Sequence, residues 1–529
     1  MSMPTTQAFQ ADTRRRQLLL YLLIASLPFS DFLQVGIVAF NATPVMGELA
    51  ASPEEYSLVA TLYAVVAIGM ISMHRWLVER LGWRRFVQVS GVLFALGALV
   101  CGFSGSLTSF ALGRILMATG CASFLTSGRL LVNHIPPSPQ RFTGIKFLAA
   151  GLAWGGVAGP LLASMALSSE SWRAAFLAML VPALLIIVLS SFALSDELPT
   201  REIRSQSHPT GLFVLMGGSF LLLYVLQRSG FDFFSDPTTL YAGLALSLPA
   251  LWLFVHLNGR RARPLIGFHR LARRRYLLGL GIFGVCYVVL GANNTMLPVL
   301  LQRTLDLPLE VVGRYLGMGA LASVASWIVL ARLMPRYPGP TRYYIAGFGA
   351  LLLCGYQLSG LSESANPMQS VVPALLCNGV FVITVLSATA MQTFQTLPQD
   401  DSTFSHANQV KNMLAQFGLA AGMALATLCL QWRSSLHFTR LSESLSPWNP
   451  ALQQTLEQLT RYFATTHDAV SAPRLAATHV GLWVAQEATL MGVLDYFFAV
   501  FLLASACLAL VVLERVLRCT SAWWRAGSR

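Results

Sequence analysis

Asp31, Arg114, Arg129, Lys411 and Asp495 are the side chains whose type and setting could do chemistry, because each is ionisable and each interrupts a long apolar run. An ionisable group inside a membrane span is expensive to keep, which makes it a functional candidate. The chemistry on offer is proton handling. A carboxylate in a low dielectric holds its proton more tightly, and a neighbouring guanidinium loosens that hold. An Asp and an Arg whose separation changes between two conformations can therefore load and release a proton. Asp31, flanked by Ser30 and Phe32 and preceded by Pro28, lies in the outer half of the first run, and Arg114 lies within the fourth. A static ion pair, or a side chain reaching to the lipid surface, is the plainer reading of both. Arg129, Lys411 and Asp495 lie nearer run ends, within reach of headgroups or water. No nucleophile–base pair, metal-ligand spacing or GxxxxGK[ST] phosphate loop accompanies them. Catalysis, a metal and ATP hydrolysis by the chain are not expected, and the proton-handling side chains leave a proton-motive force open as the energy source.

The elements that must position these residues are membrane helices. Roughly fourteen apolar runs approach the roughly 20 residues that cross a bilayer, and helices are expected near 17–40, 57–76, 86–105, 107–133, 143–166, 173–194, 211–228, 238–257, 276–300, 312–334, 341–360, 369–393, 405–431 and 489–516. The mean hydropathy of +0.60 agrees with a polytopic protein whose solvent is lipid. The net charge of +13 does not point to nucleic acid, because the basic residues fall in short connections. One side carries about 25 lysines and arginines, with a cluster at Arg260, Arg261, Arg263, Arg270, Arg273, Arg274 and Arg275, against about 4 in the short loops opposite. The opposite loops carry acids instead: Glu48, Glu54, Glu55, Asp232, Asp236 and Glu363. Both termini are thus expected in the cytoplasm of a cell whose inner membrane holds the chain. Arg14-Arg15-Arg16 and the run after it read as an uncleaved first helix. The cysteines, mostly inside apolar runs, read as small buried hydrophobes. A long outer loop is expected over 432–488, with Pro450–Phe463 as a short amphipathic helix, either a membrane-surface cap or a docking surface for a periplasmic partner.

Two further patterns stand out. The fifth run reads Gly151-Leu-Ala-Trp-Gly155-Gly156-Val-Ala-Gly159-Pro160. Small residues four apart let another helix approach closely, and the proline removes a backbone donor, so this helix is expected to be a tightly packed hinge. The connection between runs two and three, Arg75 to Arg85, combines Glu79, Gly82 and several arginines. Glu79 is placed to pair with an arginine or a helix N-terminus and hold that side closed; a plain topology-setting loop is the alternative.

Together these stretches resemble the major facilitator superfamily, specifically its fourteen-helix drug:proton antiporters. Glu79, Arg80, Gly82 and Arg84 match that family's motif A (GxLaDrxGrr), with Arg75 at the leading glycine and Glu79 for the Asp. Arg114 to Gly120 resembles motif B (RxxqGxg), with Met117 and Ala118 in place of Gln-Gly. Gly151, Gly155, Gly159 and Pro160 match motif C of the antiporters, followed by a similar Trp172-Arg173 segment. Arg263-Pro264-Leu265, Leu297-Pro298, Asn408 to Asn412 and Ser446 to Pro450 are similar to recurring stretches of the later half. The resemblance implies an all-α polytopic membrane protein of the major facilitator fold: a cytoplasmic tail over 1–16, a six-helix bundle over 17–195, two inserted helices over 211–257, a second bundle over 276–516 and a tail over 517–529. It further implies multidrug efflux, hence antibiotic resistance, by proton antiport and alternating access at the midplane, with Arg114 in proton handling. Motif A would gate the cytoplasmic side and motif C would act as the hinge. A membrane-fusion adaptor and an outer-membrane channel are implied partners, besides the small-molecule substrate and membrane lipid. One departure concerns the first helix. Alignment on Pro44 puts Val35 where the family has an Asp, and Asp31 lies one turn earlier on the same face. A dedicated exporter of one endogenous metabolite or siderophore, or a transporter-like sensor or scaffold, are the competing functions.

Overall fold

The computed structural model describes residues 4–169, 171–196, 205–232, 235–261, 263–362, 365–395, 401–446, 448–468 and 470–527. Glu363 and the extreme ends of both tails lie outside these residues. Among the described residues the chain is all helix: α1 (Pro4–Phe40), α2 (Pro53–Leu81), α3 (Trp83–Gly102), α4 (Leu107–His134, interrupted at Ala122 and Ser123), α5 (Pro139–Ser168), α6 (Trp172–Ala193), α7 (Pro209–Asp232), α8 (Pro237–Gly259), α9 (Arg274–Thr304), α10 (Leu309–Leu333), α11 (Pro340–Ser359), α12 (Pro367–Phe394), α13 (Asp401–Ser444), α14 (Pro450–Phe463) and α15 (Ser471–Gly527). Lipid offers no partner for a free N–H or C=O, and a helix satisfies both within itself.

Thirteen of these helices are long and apolar enough to cross a membrane. The expected run at 341–360 is not among them, because Arg342, Tyr343, Tyr344 and Gln357 lower its hydropathy. It nonetheless forms the 20-residue α11, packed between α12 and α15. The expected outer loop at 432–488 is largely helical. α13 and α15 run on beyond their apolar stretches and stay side by side, joined where Arg433 and His437 donate to Asp495, each at 2.6 Å. α14, over the residues expected, lies against α15.

Helix packing sets where the candidate residues meet. α1 lies along α5, and α9 lies along α13. Two seams join the first six helices to the later ones: α5 against α10, and α2 against α13 with α7 laid over both. α8 touches mainly α7 and turns Tyr241, Leu246, Leu248 and Trp252 outward, as a lipid-facing helix should. At the end opposite the arginine clusters, Trp172 and Arg173 of α6 both donate to Glu48, and Arg173 also donates to the Ser104 carbonyl at 2.9 Å. Those bonds hold the Glu48 carboxyl below the usual carboxylate range.

The α1–α5 contact is backbone on backbone. A Cβ at Gly151 would stand 2.1 Å from the Ala25 carbonyl oxygen, one at Gly155 would stand 2.5 Å from that of Phe29, and one at Gly159 would stand 2.8 Å from the Gly36 Cα. Gly156, on the other side of the same helix, meets nothing within 4 Å. Gly151→Ala must therefore push the two helices apart, at the cost of about 1–3 kcal/mol typical of overpacking, and lower the melting temperature of the detergent-purified protein by several degrees. Gly156→Ala is expected to leave it unchanged. Equal melting of the two variants would contradict this packing.

Candidate functional site

Between the two sets of helices lies a cavity of about 520 Å³ whose walls come from α1, α4 and α5 on one side and α9, α10, α12 and α13 on the other. Most of the lining is apolar, and its charged members are Asp31, Arg129, Lys146 and Lys411. Asp31 is placed there by the α1–α5 contact, since Gly151 and Gly155 grip the turn of α1 just before it. It is buried, and its Oδ1 has no hydrogen-bond partner among the described residues. Lys411 reaches the same space from α13, with its ammonium 5.3 Å from the centre of the Phe283 ring. The two are close enough for their opposite charges to act on each other.

Arg114 is not in the cavity wall. It lies buried behind it, with Nη1 donating to Gln34 Oε1 at 3.0 Å and the guanidinium 4.1 Å above the Tyr63 ring. Gln34 in turn donates to the Tyr63 hydroxyl at 2.8 Å, and that hydroxyl lies 3.2 Å from Cys121 Sγ. The described residues contain no ion pair to Arg114. Asp31 and Arg114 are thus not salt-bridged. Gln34, one turn after Asp31 on α1, stands between the two functional candidates, and its polarity in an apolar run was the signal that could have found it.

The motif A residues gather at the end of the bundle that carries Arg75–Arg85, called here the basic end. Only Gly82, at φ 77°, breaks the path from α2 to α3, so Arg75 to Leu81 are helical where a loop was expected. Glu79 accepts from Arg75 Nε at 2.7 Å and from the Ser205 N–H and hydroxyl, each at 2.6 Å, so it ties α2 to the segment leading into α7. Arg75 also donates to His406 Nε2 of α13 at 3.1 Å. Beside it, Gln409 donates to the Ile71 and Ser72 carbonyls at 3.0 Å, and Asn412 donates to Thr126 Oγ1 at 2.7 Å. Arg80 covers the Trp76 ring and Arg84 pairs with Asp196 at 2.9 Å. Of the motif C residues, Gly151, Gly155 and Gly159 face α1, while Pro160 reaches the cavity wall within an unbroken helix.

Asn293 and Asn378 were not singled out from the sequence. Asn293 donates to Asn378 Oδ1 at 2.8 Å and accepts from the Tyr496 hydroxyl at 2.7 Å, which fixes two amides in the cavity wall. Asp495, bound by Arg433 and His437, lies apart from the cavity in a structural ion cluster. No three His, Cys, Asp or Glu side chains among the described residues are grouped to hold a metal ion.

The Major Facilitator Superfamily model matches residues 24–435. The MFS-type transporter YhcA of Bacillus subtilis (strain 168) is 22% identical over 505 residues, covering 94% of this chain and 93% of that protein. MdtD of Escherichia coli O1:K1 / APEC, a protein named for multidrug resistance, is 26% identical over 429 residues, 78% of this chain and 89% of its own. A bacterial homologue of the human lysosomal transporter Spinster, solved inward-facing and unoccupied, superposes with a TM-score of 0.53 at 16% identity over 97% of this chain and 98% of its own, a likeness of fold.

The Arg114–Gln34 bond has a measurable consequence. Removing the partner of a buried charged donor costs about 1.5–3 kcal/mol, so Gln34→Leu is expected to lower the melting temperature. The double variant Gln34→Leu/Arg114→Leu should lose less than the sum of the two single changes, by about 0.5–3 kcal/mol. Strict additivity would mean the two side chains act independently.

Proposed function

Because the chain belongs to the Major Facilitator Superfamily, we propose that it is a proton-coupled efflux transporter of amphipathic or hydrophobic small molecules. It works by alternating access across the inner membrane, with the basic end and both termini in the cytoplasm. The observation that carries this reading is the largely apolar cavity of about 520 Å³ between the helix sets, with the partner-free carboxyl oxygen of Asp31 in its wall. Such a space suits a greasy cargo, and a buried carboxylate with one oxygen unpaired can exchange a proton there. The resistance name of MdtD adds support for efflux.

In this reading α1–α6 and α9–α13 with α15 form the two moving bundles, and α7 and α8 are the inserted pair. Cargo enters from the basic end when the bonds of Arg75, Gln409 and Asn412 that tie α2 and α4 to α13 part. After release on the other side, a proton taken up by Asp31 resets the carrier and is given to the cytoplasm. Arg114 acts at one remove, through Gln34. The α13–α15 extension with α14 is the surface a membrane-fusion adaptor would meet.

Everted vesicles energised by respiration test the proposal, with a panel of lipophilic cations, weak acids and uncharged drugs added to wild type, Asp31→Asn and Arg114→Ala. At least one compound is expected to dissipate the proton gradient with wild type, Asp31→Asn to abolish that response, and Arg114→Ala to weaken it. A correctly inserted protein that responds to no compound would overturn the efflux reading.

A further inference from the structure

The charges lining the cavity do not balance. Three cations, Arg129, Lys146 and Lys411, face one carboxylate, Asp31. Lys411 is the most exacting of them. Its side chain is only 8% exposed, yet it has no hydrogen bond and no ion pair among the described residues. Its fixed neighbour is the face of Phe283, and Arg129 is held in the same way, 5.1 Å from the centre of the Phe394 ring. An aromatic face offsets part of the loss of water but leaves the N–H donors unfilled.

The two cations come from opposite helix sets and share one neighbourhood. Lys411 precedes Asn412 on α13, and Arg129 stands one turn beyond Thr126 on α4. The Asn412–Thr126 hydrogen bond at 2.7 Å pins those turns together, and the like charges act on each other. Around them the wall is greasy, with Tyr287, Leu290 and Leu386.

We infer that the cavity is built for an organic anion, an apolar body bearing one carboxylate, with the carboxylate held between Lys411 and Arg129. The inference rests on the transport reading above and names its cargo. Two carboxylate oxygens can accept from an ammonium and a guanidinium at once, giving Lys411 the acceptor it lacks and drawing α4 and α13 together. Asp31 stands on the α1 wall, where its charge opposes a second anion and limits the site to one. A cationic drug would instead meet three like charges.

Three probes with one apolar body separate the cases: pyrenebutyrate, pyrenebutanol and a pyrenebutyl-trimethylammonium salt. Each is titrated by fluorescence into full-length protein in phosphatidylcholine nanodiscs, with empty nanodiscs subtracted. The carboxylate is expected to bind at least about tenfold more tightly than the alcohol, as a charge-assisted hydrogen bond implies, and the ammonium more weakly than either. Lys411→Gln should weaken the carboxylate several-fold, leaving Arg129 as its one donor, and Lys411→Arg should keep the preference. Equal binding of the three by wild type, tighter binding of the ammonium, or no binding of the carboxylate overturns the inference without recourse to any variant. A carboxylate preference undiminished by Lys411→Gln overturns it too. The same probes in energised vesicles separate the two readings. A carboxylate bound through Lys411 but not moved sinks the export reading and leaves the site, whereas transport of lipophilic cations with no carboxylate binding keeps export and sinks the anion.

Discussion

Two backbone-to-backbone helix contacts set the rest of the structure. In the first half α5 lies on α1 through Gly151, Gly155 and Gly159. In the second half a Cβ at Gly422 of α13 would stand 2.1 Å from the Val288 carbonyl of α9, and one at Gly291 of α9 would stand 2.2 Å from that of Leu419. Apolar surface gains little from burial in lipid, so close packing of small residues is what holds such pairs. The consequence is positional. Asp31 rides on α1 and Lys411 on α13, one member of each tight pair, so each charge is delivered to the cavity by a helix with little freedom to slide.

The remaining polar groups divide by the same logic. Those whose partners lie within their own half, such as Arg114 with Gln34 and Tyr63, or Asn293 with Asn378 and Tyr496, are satisfied by hydrogen bonds. Two buried oxygens on the cavity wall are left without a partner among the described residues: Asp31 Oδ1 and, beside Lys411, Asn412 Oδ1. A buried polar atom left without a partner is costly, and two such atoms beside the Lys411 ammonium around one space point to a ligand or to water as the missing partner.

Much of this was legible in the sequence, and the limits have physical causes. Apolar period and length gave the helices, and the spacing of Gly151, Gly155 and Gly159 gave the face of α5 that meets α1. Pro450 and the stripe to Phe463 gave α14. Helix ends were poorly legible where tertiary contact extends them: the ion cluster of Asp495, Arg433 and His437 keeps α13 and α15 helical past their apolar runs. The site was half legible. An acid or base in an apolar run announces itself, as Asp31 and Lys411 did. Which charges meet depends on how helices hundreds of residues apart face each other, and no local pattern records that. Arg114 was therefore expected beside Asp31 and is found bonded to Gln34, while Lys411 shares the cavity with Asp31 from the far half of the chain.

The two seams between the halves are unequal, and that inequality decides which can open. Along α5 and α10 the contact is mostly steric. A Cβ on Gly313 would stand 2.4 Å from the Ser164 Cβ, one on Gly317 would stand 2.4 Å from the Leu161 Cδ2, and Ser164 donates to the Glu310 carbonyl at 2.5 Å. Separating these surfaces would lose packing for which nothing is substituted. Across α2, α4 and α13 at the basic end the contact is a set of hydrogen bonds: Gln409 to Ile71 and Ser72, Asn408 and Asn412 to Thr126, and Arg75 to His406. Water can replace each of these at a net cost of about 0.5–1.5 kcal/mol. α7 also lies on this seam through Leu215 and Leu223, packed on Ala64, Ile68 and Ala420. A rocking motion that keeps the α5–α10 packing as its pivot and exchanges the basic-end hydrogen bonds for water is therefore the least costly way for these two helix sets to part.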